Sequence, residues 1–102
     1  MQKVYRNWGY YITLINLPFL KIKYLKFDGS LSFQKHKLRS EFWIKLKGNG
    51  KFYLNGKFSN NNLFFYITKK VIHSFSGHAN FIEFQFGVNI ENDIKRISNL
   101  KW

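Results

Sequence analysis

An all-β barrel or sandwich is the fold class this sequence predicts. Apolar and polar residues alternate with period two over most of its length, aromatic residues make up 21% of it, and turn-forming dipeptides interrupt it at short intervals. Val4 to Asn16 reads as one or two strands around Trp8-Gly9. Phe19 to Phe27 alternates through Leu20, Ile22 and Tyr24, then slips register at Leu25, which predicts a bulge. Asp28-Gly29 is a turn signal. Leu31 to His36 and Glu41 to Lys47 follow as strands, and Gly48-Asn49-Gly50 breaks the chain. Lys51 to Leu54 and Lys57-Phe58 flank Asn55-Gly56, a strong hairpin signal because both central residues of a type I′ turn need positive φ. Asn60 to Asn62 is a loop. Leu63 to Ile67, Val71 to Phe75 and Phe81 to Phe86 complete the strands, with Gly77-His78-Ala79 turning between the last two. Ile90 to Ile97 is expected as a short C-terminal helix, with Asn89 as its N-cap.

At 102 residues the chain holds one domain and one core. It has no cysteine, which excludes disulfides and thiolate metal sites and points to a reducing compartment. No apolar run approaches the ~20 residues of a membrane span, and no signal-peptide core is present, so a cytoplasmic location is expected. The net charge of +12 invites a nucleic-acid reading, with Tyr24, Phe52 and Tyr53 as base-stacking candidates. The lysines are spread along the chain, however, and rise together with Asn, Ile and Phe, the signature of AT-rich coding. Nucleic acid is therefore an unlikely partner.

The informative spacing runs from Gly29 to Gly48. Gln34 and His36 lie two apart on a strand, so both side chains leave the same face. Glu41 follows after a short turn, and His73 lies on a later strand that a closed barrel can bring opposite. Two imidazoles, a carboxylate and an amide oxygen suit one divalent transition metal, Zn, Mn, Fe, Co or Ni, with coordination positions left open. An isolated histidine on a strand is more often structural, so His73 gains its weight only from the other three.

The spacing G-x4-Q-x-H-x4-E-x6-G resembles the first cupin motif as it occurs in type II mannose-6-phosphate isomerases. The resemblance continues along the chain. Val4 to Tyr11 is similar to VYRPWGxY, Leu31 to Trp43 to LSLQxHxHRxEHW, and Tyr66 to His73 to YIPxGxxH, the second cupin motif. Ile82 to Gly87 resembles IEVQxG, and Glu91 to Arg96 resembles EDDIxR. This resemblance implies a cupin jelly-roll barrel and a metal-dependent isomerase that interconverts mannose 6-phosphate and fructose 6-phosphate. It implies Gln34, His36, Glu41 and His73 as metal ligands and Arg39 as a phosphate-binding residue. Asp93 and Arg96 would close over the site; the resemblance does not identify the base, for which Asp93 and Glu41 are the candidates. Bifunctional members of that family carry a nucleotidyltransferase domain ahead of this one. Nothing in these residues could supply it, so guanylyltransferase activity is not expected.

The departures define the alternative. Thr68 and Lys70 stand where the second motif has Pro and Gly, Phe42 where the first has His, and Asn7 where the opening motif has Pro. Lys45 shares a strand face with Glu41 and Trp43. A non-catalytic cupin that keeps a metal or sugar ligand is the competing reading. The aromatics Tyr5, Trp8, Tyr10 and Tyr11 suit a homodimer interface through the N-terminal strands, or else the chain's own core.

Overall fold

The structure, a computed structural model, describes residues 2–60, 63–87, 94–100 and 102. Among them are nine strands, all in one curled sheet: β1 (Lys3–Arg6), β2 (Gly9–Leu17), β3 (Leu20–Ser30), β4 (Gln34–Lys35), β5 (Arg39–Leu54), β6 (Lys57–Asn60), β7 (Phe64–Ile67), β8 (His73–Gly87) and β9 (Lys95–Arg96). The alternation therefore reports correctly on an all-β barrel. No helix among the described residues is long and apolar enough to cross a membrane.

A two-stranded ribbon organises the sheet. β5 and β8 pair antiparallel from Arg39↔Gly87 at one end to Leu54↔His73 at the other. β3, β2 and β1 extend the sheet from β8 in order, and β4 and β9 continue it where β8 begins. β7 pairs with the start of β5 and β6 with its end. Drawn out straight, the 15 residues of β8 would span about 50 Å, yet the longest extent of the molecule is 32 Å. The ribbon is folded over on itself.

Glycines permit that fold. Gly29, Gly77 and Gly50 lie side by side across β3, β8 and β5. A Cβ on Gly77 would stand 2.5 Å from Gly50 Cα, and one on Gly48 would stand 2.2 Å from the carbonyl oxygen of His78. Both residues also hold positive φ, 151° and 102°. Glycine inside a strand marks such bends and close backbone approaches. A register shift between Lys45 and Lys47, where Lys45 is partly buried opposite Phe81, adds to the bend.

These close approaches correct three sequence expectations. The turns expected at Asp28-Gly29, Gly48 to Gly50 and Gly77 to Ala79 all lie inside continuous strands. The bulge expected at Leu25 is absent, and the irregularity falls in β2 between Thr13 and Ile15. Leu25 looked out of phase because β3 is apolar on both faces: Leu20, Ile22 and Tyr24 point out, and Leu25 and Phe27 point in. The helix expected over Ile90 to Ile97 is also corrected at its end. Residues 90–93 lie outside the described set, as does the Asn89 cap, while Lys95–Arg96 pair with β4 and Ile97 donates its N–H to Phe33 at 2.7 Å. The Asn55-Gly56 hairpin forms as expected, with φ of 46° and 93°.

The core between the folded halves is aromatic. Phe27, wholly buried, has ring centroids at 4.3 Å to Trp8, 5.0 Å to Phe75, and 5.8 Å to both Trp43 and Phe81. Trp43 and Phe81 thereby pack into the same cluster that carries the site-forming strands. Phe27→Ala should lower unfolding stability by about 3–5 kcal/mol, read by urea denaturation. A loss below about 1 kcal/mol would mean the cluster does not hold the folded ribbon together.

Candidate metal centre

Three strand ends deliver the site. His36 follows β4, Glu41 sits near the start of β5, and His73 is the first residue of β8. Each offers a nitrogen or oxygen donor atom, and all three atoms lie within 4.8 Å of one another. All three residues are buried. The turn before His73 keeps its shape without the family's glycine. Lys70 takes that position at φ 66°, the left-handed region, and its N–H donates to the His36 carbonyl at 2.6 Å. A non-glycine residue is strained there by about 1–2 kcal/mol. That bond ties the two histidine segments together.

The hydrogen bonds fix which atoms face the centre. Arg39 Nη2 lies 3.1 Å from His36 Nε2, and guanidinium can only donate, so that nitrogen carries a lone pair. His73 Nδ1 lies 3.3 Å from the Val71 carbonyl, which can only accept, so His73 bears its proton on Nδ1. Its Nε2 is buried without a hydrogen-bond partner and stands 3.6 Å from Glu41 Oε1. His36 Nε2 stands 3.3 Å from Glu41 Oε2. His73 Nε2 thus keeps an unshared lone pair in a desolvated space, pointed at ligand atoms of His36 and Glu41 that are themselves acceptors, and a cation among the three relieves that arrangement. Burial, then the neighbouring His36, push the His73 pKa from 6.5 down to about 3, which keeps the imidazole neutral as metal coordination requires. The residues present fit a divalent ion.

Glu41 is also held from behind. Arg39 Nε donates to Oε2 at 2.9 Å and Trp43 Nε1 donates to Oε1 at 3.0 Å. Gln34 is buried, faces His73 across the β4–β8 pair and lines the adjoining cavity. Arg96 is exposed, pairs with Gln34 in the β4–β9 ladder and borders the same cavity. Asp93 lies outside the described residues. The structure therefore gathers His36, Glu41 and His73 with Arg39, and sets Gln34 and Arg96 beside them.

The cavity, of about 700 Å³, exposes what sequence reading missed. Glu83 and Gln85 line it, both buried, and Gln85 Nε2 donates to Glu83 Oε1 at 2.7 Å. Burial, then the charge of Glu41 and a hydrogen bond to it, raise the Glu83 pKa from 4.5 to about 8. Two carboxyl groups share a hydrogen bond only through a proton, so Glu83 holds one near neutral pH. The signal was in the sequence: Phe81, Glu83 and Gln85 share the inward face of β8, an unusual place for an acid among a chain's five.

These shifts set the stability profile of the metal-free protein. His73, depressed in the fold, contributes stability that is complete above pH 6.5 and lost as pH falls toward 3. Glu83, raised in the fold, contributes stability that is complete below pH 4.5 and lost as pH rises toward 8. Stability should rise from pH 3, stay level between 4.5 and 6.5, and fall toward 8. Glu83→Gln should abolish the alkaline fall and turn the level stretch between 4.5 and 6.5 into a continued rise, leaving only the His73 limb. Denaturant midpoints measured across this range check it, and an unchanged alkaline limb in that variant would refute the assignment.

Comparison with known proteins places this geometry. A family described as mannose-6-phosphate isomerase C-terminal matches residues 1–99. No curated protein sequence matches the chain. Solved structures do. A protein from Planctomyces limnophilus superposes with a TM-score of 0.83 at 17% identity, covering 92% of this chain and 88% of that one. The Streptomyces nucleoside dehydratase Pac13 gives 0.84 at 11%, covering 94% and 83%. Bacillus subtilis oxalate decarboxylase gives 0.78 at 16%, covering 95% of this chain and 30% of its own. At these identities the likeness speaks to fold and not to chemistry. With the family matched over nearly its whole length, the chain is a cupin barrel that belongs to the mannose-6-phosphate isomerase C-terminal family.

Proposed function

We propose that this protein is a metal-dependent sugar-phosphate isomerase that interconverts mannose 6-phosphate and fructose 6-phosphate. The observation that carries the reading is the buried convergence of ligand atoms of His36, Glu41 and His73, with His73 Nε2 unpartnered, beside a cavity lined by cations and a protonated carboxyl. Moving a proton between adjacent sugar carbons needs an acid–base group and a positive centre for the charge that develops on the sugar oxygens. A divalent ion held by His36, Glu41 and His73, with the Gln34 amide alongside, supplies that centre as a Lewis acid. The donor set suits Zn, Mn, Fe, Co or Ni.

The chain's own groups supply the rest. Glu83 carries the proton, since a carboxyl with a pKa of about 8 both releases and accepts it near neutral pH. Gln85 holds Glu83 in place, and Arg39 and Trp43 hold Glu41. Arg96 borders the cavity from the β9 side. A cysteine-free chain acting on a phosphorylated sugar belongs in the reducing cytoplasm.

Elemental analysis of protein purified without chelator should give one metal per chain, and none for His36→Ala/His73→Ala. Glu83→Gln should keep the metal and lose at least about 100-fold in kcat on mannose 6-phosphate. Negligible metal in both wild type and double variant, even after adding Zn or Mn, sinks the site. Metal-loaded wild type that turns over no hexose phosphate favours the non-catalytic cupin instead.

We also propose a homodimer, formed through the outer face of the sheet. Trp8 stacks on Phe27 and Tyr11 lines the cavity, so two of the four N-terminal aromatics serve the chain's own interior. Outside, Leu17, Leu20 and Phe86 face one another across β2, β3 and β8, and Phe84, Phe42 and Tyr66 across β8, β5 and β7, with Tyr66 57% and its neighbour Phe64 63% exposed. Half-exposed rings of ~200 Å², with the aliphatic residues between them, make a face near the ~800 Å² each partner buries in a standard interface. A face with so little charge on a chain of +12 suits a second copy of itself. Light scattering should give twice 12.3 kDa, and Phe64→Lys should give the monomer. A clean monomer mass for the wild type at micromolar concentration contradicts the pairing.

A further inference from the structure

The cavity has a second pole, far from the histidines in sheet order. Inward residues run across the strands from Arg6 on β1 through Tyr11 on β2 and Lys23 on β3 to Glu83 on β8 and Trp43 on β5. The Lys23 ammonium stands 4.4 Å from the Tyr11 ring centroid, and the Arg6 guanidinium stands 5.5 Å from the same centroid. All three residues line the cavity. One aromatic ring thus gathers two like charges, its π face offsetting part of their repulsion.

We propose that Arg6, Tyr11 and Lys23 form an anion subsite that takes the phosphate monoester of the substrate. This rests on the isomerase reading and names which end of the cavity holds which end of the sugar. Arg39, the phosphate-binding residue that family resemblance implies, is turned the other way: its hydrogen bonds go to Glu41 and His36. Of the three other cations lining the cavity, Arg96 stands on β9 opposite Gln34, and Arg6 and Lys23 share one ring, which makes them the pair positioned to meet a dianion. Lys23 faces Glu83 directly across β3 and β8, and Glu83 faces Trp43 across β8 and β5, so two strand spacings, about 10 Å, separate Lys23 from the Glu41 strand. A phosphate on the Arg6–Lys23 pair leaves the carbon chain lying past Glu83 toward His36, Glu41 and His73. The substrate is thereby oriented, with its reacting end at the proton carrier and the metal-binding residues. Arg and Lys at one phosphate also divide the work, a forked donor beside a point charge.

Calorimetric titration of chelator-treated protein with inorganic phosphate, mannose 6-phosphate and mannose tests the subsite without any metal. Both phosphates should bind and mannose should not. Lys23→Met and Arg6→Met should each weaken phosphate binding about tenfold, the scale of a charged hydrogen bond. Lys57→Met, which removes the same charge from the exposed β5–β6 hairpin, should change it less than twofold. His36→Ala/His73→Ala should lose metal and keep phosphate affinity, so failure at the metal centre and failure here are separable. Arg6 is exposed on an edge strand, so its variant keeps the test intact if Lys23→Met does not fold. Equal weakening by all three charge-removing variants, or no phosphate binding by the wild type, overturns the subsite.

Discussion

The doubling of the β5–β8 ribbon is the constraint on which the site depends. Glu41 pairs with Gln85 near one end of the ribbon and His73 with Leu54 at the other, twelve positions along β8. In a flat sheet those twelve residues would hold the two side chains about 40 Å apart. In the fold their ligand atoms stand 3.6 Å apart. Local geometry contributes little to that meeting. It is produced by the glycines of β5 and β8, Gly48, Gly50 and Gly77, where side chains would collide with the facing strand, and by the aromatic cluster that fills the space between the two halves. Burial of Phe27, Phe75 and Phe81 stabilises the bend at roughly 25 cal/mol per Å² of apolar surface. The same bend then carries the polar residues of the site into the interior.

That delivery has an electrostatic penalty, and the structure shows how it is offset. Three lone-pair-bearing groups converge where water is excluded, an arrangement that burial alone disfavours. Arg39 and Trp43 donate to Glu41 from one side, and Arg39 also covers His36, while His73 Nε2 is left without a donor. Arg39 thereby sets a positive charge against both the carboxylate and the His36 imidazole. The wider cavity repeats the pattern: Lys23 and Arg39 act on Glu83, and Arg6 and Arg96 line the same space. Part of the +12 charge thus has a local explanation, in a concave site of limited size, that neither codon composition nor a polyanion partner supplies.

Much of this was legible before any coordinates. Period-two alternation marked the strands, and Asn55-Gly56 marked its hairpin because a type I′ turn leaves few other residues to choose from. The spacing of Gln34, His36 and Glu41, and the later His73, marked the candidate ligands. What misled was glycine. Gly29, Gly48, Gly50 and Gly77 read as turns, since local sequence cannot distinguish a chain that reverses from strands that press together. Leu25 misled for a related reason: a strand with an apolar outer face and an apolar inner core shows no clean phase. Glu83 was hidden because its perturbation comes from burial and then from Glu41, distant in sequence and adjacent only after β5 and β8 pair. Lys70 shows the reverse case. Its replacement of glycine looked damaging, yet the backbone keeps the left-handed turn and its N–H reaches His36.

The folded-over ribbon also orders events in time. β3 pairs with β8 from Leu20↔Phe86 to Ser30↔Ser76, and β5 pairs with it over its whole length, so most ladders join residues distant in sequence. Such topologies fold slowly, because chain closure must precede the contacts that reward it. His73 reaches Glu41 only after the ladders exist and the bend has closed. An ion held by these residues could therefore not template early structure, as it does in small zinc modules, and would bind only the finished fold.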